Sequence, residues 1–129
     1  MPLHGSLLAS TIEAWLEYSK VQGRQNSATY RALVDTGSTF VVIPENDCIN
    51  LGLIRTDKKV NLMTGGGVLS APLFIANLIR LEGTSVISKN VEVVGKTIAG
   101  IPALLGMTFL RKMDFCFREK SKRFTVERS

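Results

Sequence analysis

Residues 32–44 read ALVDTGSTFVVIP, and the reading of this stretch decides the fold. Three apolar residues lead into a single acid, Asp35. Phe40 to Ile43 form a second apolar run, which Pro44 stops. Short apolar runs bounded by turn residues read as buried strands. The Asp-Thr-Gly-Ser between them has the makings of a tight turn: Asp and Ser side chains bond locally to the backbone, and Gly accepts unusual dihedrals. By composition alone this is an ordinary turn. Its setting is less ordinary, because a turn between two buried strands is itself largely buried. An ionised carboxylate is costly there unless hydrogen-bonded or paired. Gly37 and Ser38 offer the nearest donors, and Asp35 becomes the candidate functional acid.

Working outward, ATYRALV (28–34) is a strand and SKVQGRQNS (19–27) a polar loop. In residues 9–18, Thr11, Ile12, Trp15 and Tyr18 suit a strand, although helical spacing is also present. The whole reads as a hairpin over 9–34. Downstream, ENDCINLGL (45–53) holds one helical turn that Gly52 ends. KKVNLM (58–63) and VLSAPLFIANLIRL (68–81) are two strands joined at TGGG (64–67), where the glycines give the tip conformational freedom. SVISKNVEVV (85–94) is a strand and ALLG (103–106) a short buried one. MTFLRKM (107–113) is the one real helix. DFCF (114–117) and FTVE (124–127) form a last hairpin around REKSKR (118–123). The expectation is an all-β domain over residues 1–129 with one short C-terminal helix.

Bulk properties narrow the function classes. A chain of 129 residues supports one modest core. With 45% apolar and 21% charged residues it matches ordinary globular composition. No apolar run approaches the roughly 18 residues of a spanning helix, so no membrane role is expected. The opening MPLHGSLLASTIEAW lacks the basic and apolar regions of a signal peptide. Cys48 and Cys116 form no CxxC and have no His nearby, which argues against zinc. Read as free thiols, they favour a reducing, cytoplasmic setting. Much of the +5 net charge falls between Arg111 and Ser129, where REKSKR reads as a solvated turn. No aromatic platform accompanies it, and nucleic-acid binding is not expected. VVGKT (93–97) imitates the end of a phosphate loop, but Asn90 stands where the first glycine belongs. His4 is the sole histidine and lies near a terminus, so a Ser-His or Cys-His pair is not expected. Trp15 and the Phe residues read as core.

ALVDTGST followed by VVIP resembles the active-site loop of the retropepsin-like aspartic proteases. The glycine tip at TGGG lies where those proteins carry a flap, and ALLGMTFL resembles their second signature. The resemblance covers roughly residues 9–127. It implies a closed β-barrel, the half-lobe of an acid protease, completed as a C2 homodimer. Asp35 would be the catalytic carboxylate. Thr36 would sit in the grip across the two-fold axis, Gly37 would allow the two loops to approach, and Ser38 would bond the outer oxygen of Asp35. Leu104, Leu105 and Gly106 would support the loop. Thr64, Gly65, Gly66, Gly67 and Val68 would form the flap over a peptide or protein substrate, with no metal or cofactor.

The chemistry needs two carboxylates sharing one proton. Asp47, Asp57 and Asp114 sit in no glycine turn, so a second copy of Asp35 is the economical partner. The expected activity is aspartic endopeptidase. The rival expectation, a catalytically weak dimerisation or peptide-binding module, has no need of an intact DTGS.

Overall fold

The structure is a computed structural model and describes residues 14–64, 66–111, 113–118 and 123–128. Strand β1 (Ala14–Gln22) turns back into β2 (Ser27–Val34), antiparallel, with Trp15 opposite Leu33 and Val21 opposite Ala28. The segment SKVQ continues the strand and is no loop. Ser19 and Val21 point inward, fully buried, and alternate with half-buried Lys20 and Gln22. One inward position is a serine, so the apolar alternation is weak. The Ser19 hydroxyl is satisfied locally, donating to the Leu16 carbonyl at a bulge.

After β3 (Val41–Ile43) comes helix α1 (Glu45–Leu51), seven residues long where a single turn was expected. Cys48 and Leu51 are its buried residues, one turn apart. Gly52 ends it at φ 76°. The carbonyl ends of α1 are met from far along the chain. Gln25 and Asn26 N–H both donate to Leu51 O, and Arg24 N–H donates to Gly52 O. A Cβ on Gly23 would stand 2.8 Å from the Leu51 carbonyl carbon, so the β1–β2 turn can lie flat on the helix end.

Strands β4 (Ile54–Thr64) and β5 (Gly67–Leu81) form a long hairpin, followed by β6 (Ile87–Gly95) and the short β7 (Ala103–Leu105). Helix α2 (Met107–Leu110) is one turn only. The expected helix over 107–113 stops there, because Met113 is buried from strand β8 (Met113–Arg118) instead. Strand β9 (Arg123–Arg128) pairs with β8 antiparallel, as the last hairpin was expected to do. The expectation of a single helix is thus corrected: two short ones stand among the described residues. The parts of the expected elements at 9–13 and 119–122, the thiol of Cys116 and His4 lie outside the described residues.

The sheet order is β1-β2-β7-β3-β6-β5-β4, and β1 also pairs with β5, Ser19 opposite Leu81. Six strands therefore close into a barrel, with β4 attached to β5 outside the ring. Alternate residues fill the barrel: Val41 and Ile43, Val93, Ala103 and Leu105 face one core with Phe74 and Phe109. Their neighbours Val42, Val94 and Leu104 face outward into a second apolar cluster under the β4–β5 hairpin. Trp15, expected in the core, is half-buried and carries the Arg31 guanidinium 3.8 Å above its ring.

Candidate active site

Strand β2 delivers Asp35 because it is pinned on both sides. β7 runs parallel to it, Val34 beside Leu105, and the ladder extends one residue further as Asp35 N–H donates to Leu105 O at 3.0 Å. There the chain turns. Ser38 N–H donates to Asp35 O at 3.1 Å, and Gly37 N–H donates to the Asp35 Oδ1 at 3.0 Å. This is an Asx turn: the carboxylate holds the loop that holds it. Asp35 is half-buried, and among the described residues its Oδ2 has no hydrogen-bond partner.

The turn rests on the residues after β7. Met107 N–H donates to Ser38 O at 2.9 Å and Thr108 N–H to Thr39 O at 2.8 Å. Gly106 lies directly beneath. A Cβ there would stand 2.7 Å from Ser38 O and inside the contact distance of Phe40 O. Only glycine lets α2 come this close, and its dihedrals of −102° and −165° would suit any residue. The requirement is space. Leu105 points into the barrel core while Leu104 faces the second cluster, beside Phe40.

One expectation about the turn changes. The Ser38 hydroxyl does not bond the Asp35 carboxylate. It donates to Phe40 O at 3.1 Å, a local bond two residues on. Among the described residues of its own chain, a Cβ on Gly37 would meet Asp35 Oδ1 at 3.4 Å, an ordinary contact. Thr36 is half-buried, and its side chain makes no hydrogen bond among the described residues.

The hairpin carries Thr64 and Gly67 as its last cross-strand pair, so Gly66 lies in the tip. Gly65 and the side chain of Thr64 lie outside the described residues. Directly opposed residues share a face. Leu62 and Leu69, with Val60 and Ala71, form the face toward the second cluster. Met63 and Val68, 83% and 59% exposed, lie on the other face. The inner face of the β4–β5 hairpin and Leu104 therefore border one apolar region.

The other described acids are occupied or distant in the chain. Asp47, on α1, accepts the Tyr30 hydroxyl at 2.7 Å. Burial first, and then this bond, push the Tyr30 phenol well above its ordinary range. Asp57 lies where β4 bulges between Arg55 and Lys59. Neither shares a hydrogen bond with Asp35. Cys48 is free and fully buried, its thiol pushed up to about 12 by burial and then by the charges of Asp47 and Glu45. A low-pKa nucleophile this is not.

One residue of the site is absent from the sequence-based set. Thr108, 3% exposed, accepts a hydrogen bond from Val41 N–H at 3.1 Å and donates one to Glu92 O at 2.9 Å. Its only signal in the sequence is a polar residue within the otherwise apolar LLGMTFL.

A family model described as "gag-polyprotein putative aspartyl protease" matches residues 21–112. Among solved structures, a retropepsin-like aspartic protease from Rickettsia conorii aligns with a TM-score of 0.61 at 21% identity, covering 88% of each chain. At that identity the likeness concerns the fold, which is retropepsin-like. A comparison with curated proteins finds no match. No helix among the described residues is long and apolar enough to cross a membrane.

Proposed function

The chain belongs to the gag-polyprotein aspartyl protease family, and on that basis we propose that it is an aspartic endopeptidase active as a C2 homodimer. The observation that carries the reading is the state of Asp35. It is held rigidly by its own turn and by β7, yet one carboxylate oxygen has no hydrogen-bond partner among the described residues. A half-buried acid so placed leaves one oxygen open to a second group opposite it. A two-fold axis beside the turn supplies the same turn of a second copy. The room around Gly37 supports this, since nothing among the described residues requires a glycine there and a close neighbour across an axis would.

The chemistry follows from two acids sharing a proton. The ionised carboxylate takes a proton from water as the water oxygen attacks the scissile carbonyl. The protonated carboxylic acid gives its proton to the carbonyl oxygen. The tetrahedral adduct then breaks its C–N bond, with a proton returned to the leaving amine. The pair titrates as a unit. Thr36 would bond across the axis, since its side chain has no hydrogen-bond partner among the described residues. Leu104, Leu105 and Gly106 hold the turn, and Thr64 to Val68 close over an extended peptide. The apolar surface shared by Leu62, Leu69, Val42 and Leu104 would receive apolar side chains beside the scissile bond.

The test is cleavage of a mixed peptide library across a dilution series, with Asp35→Asn alongside. Specific activity should fall on dilution, and D35N should be inactive with an unchanged fold. Turnover by D35N, or specific activity independent of concentration down to the lowest measurable level, would refute the reading.

A further inference from the structure

We propose that Thr108 is a positioning residue for Asp35, acting through the segment that follows the DTGS turn. The inference rests on the reading of Asp35 as the reacting acid.

The turn is held at both ends, by different means. On the N-terminal side, β2 is locked by backbone pairing with β7, and Asp35 N–H continues that ladder to Leu105 O. On the C-terminal side, Thr39 and Phe40 belong to no strand, and β3 begins only at Val41. What fixes this side is Thr108, twice over. Its N–H donates to Thr39 O at 2.8 Å, and its hydroxyl accepts from Val41 N–H at 3.1 Å. The same hydroxyl spends its proton on Glu92 O in β6, at 2.9 Å. The orientation is therefore determined: one lone pair toward β3 and the hydrogen toward β6. No other side chain outside the turn makes a described hydrogen bond to residues 35–41.

Burial makes the node stringent. Thr108 is 3% exposed and Val41 fully buried, so no bulk water replaces a lost partner. Removing the hydroxyl orphans the buried Val41 N–H and takes a donor from the Glu92 carbonyl. Thr39 and Phe40 then keep the backbone bond to α2 and the local Ser38 hydroxyl bond, with β3 paired to β6 only from Val41 onward, and the turn can tilt about its fixed end at Asp35. A reacting group displaced by about 1 Å costs on the order of 100-fold in rate.

The experiment compares Thr108→Val, which keeps the volume, with Thr108→Ser, which keeps the hydroxyl. The substrate is a library peptide that the wild-type protein cleaves, at protein concentrations where specific activity has reached its plateau. T108V should lose about 10- to 100-fold in kcat with KM within about twofold, while T108S retains most of kcat. Amide hydrogen exchange gives a readout independent of turnover. In T108V, exchange should quicken at residues 36–41 and stay unchanged where β1 pairs with β5. A purely structural role would lower thermal stability, with kcat per folded molecule and the local exchange pattern intact, and that result overturns the proposal. So does T108S losing as much as T108V. If T108V does not fold, Thr108→Ala is read in the same two assays against the same criteria. If the wild-type protein cleaves nothing, the peptidase reading fails, and the exchange pattern alone decides whether Thr108 holds the turn.

Discussion

Gly106→Ala places the whole account of the turn under test. The variant adds one methyl group at a residue whose dihedrals any amino acid adopts, so the cost comes from space and not from the backbone. A carbon and a carbonyl oxygen normally stand at least about 3.3 Å apart. The new Cβ would stand 2.7 Å from Ser38 O. That oxygen must retreat by roughly 0.6 Å, and Phe40 O by more. Both obstacles are main chain, so no side chain can swing aside. Ser38 O also accepts the Met107 N–H, and that bond must stretch or break. Overpacking of this kind costs about 1–3 kcal/mol. For a chain of this length that is roughly 3–5 °C in Tm per kcal/mol. Thermal unfolding should be followed at one fixed protein concentration, because assembly makes Tm concentration-dependent. Because Ser38 N–H is bonded to Asp35 O, the shift reaches the acid, and cleavage should fall by about 10-fold or more. G106A with Tm within 1 °C of wild type and undiminished cleavage would refute the packing described for α2 and the turn.

Gly37→Ala should behave in the opposite sense. Its Cβ fits within one chain, so the stability of the isolated chain should change by no more than about 0.5 kcal/mol, while sedimentation should show weaker self-association and cleavage should drop. Retained assembly and activity would remove the close approach of two loops from the account. Cys48 should resist thiol reagents in the native protein at pH 8 and react after denaturation, read by peptide mapping so that Cys116 is counted separately. Alkaline stability follows from Cys48 and Tyr30 together. Both groups hold their protons more tightly when folded, so their contribution is complete below the unfolded values near 9 and 10 and is lost as pH rises beyond them. Unfolding free energy should begin to decline near pH 9. Tyr30→Phe combined with Cys48→Ala should flatten that decline, and an unchanged slope would count against it.

Much of the site is legible from local chemistry. Asp and Gly at the end of an apolar run announce the turn, and Gly37 N–H does hold Asp35, as the donor count suggests. The glycine tip, the strands flanking it and the role of Gly52 as helix terminator all follow from residue preferences that act over a few positions. The errors have a common cause. SKVQ looks polar because one of its two inward residues is Ser19, whose hydroxyl is satisfied at a bulge. Helix α1 reads as a single turn because part of what ends it comes from elsewhere: Leu51 O accepts from Gln25 and Asn26 N–H, in the turn between β1 and β2. Ser38 points to Phe40 because a bond two residues away is closer at hand than the carboxylate.

On its own, the amino-acid sequence determined which residues could form the acid turn, where the strands begin and end to within a few positions, and that one chain carries only one DTG. These are properties of local dihedral preference and of alternation, which neighbours decide among themselves. Only the tertiary structure decided that β7 lies between β2 and β3, parallel to the first and antiparallel to the second, that β1 closes the barrel on β5, and that the hydroxyl of Thr108 ties the far side of the turn to β6. Each joins residues dozens of positions apart. The chain forms such contacts when burial of the apolar faces repays the entropy of closing the loop, and no short stretch of sequence carries that balance.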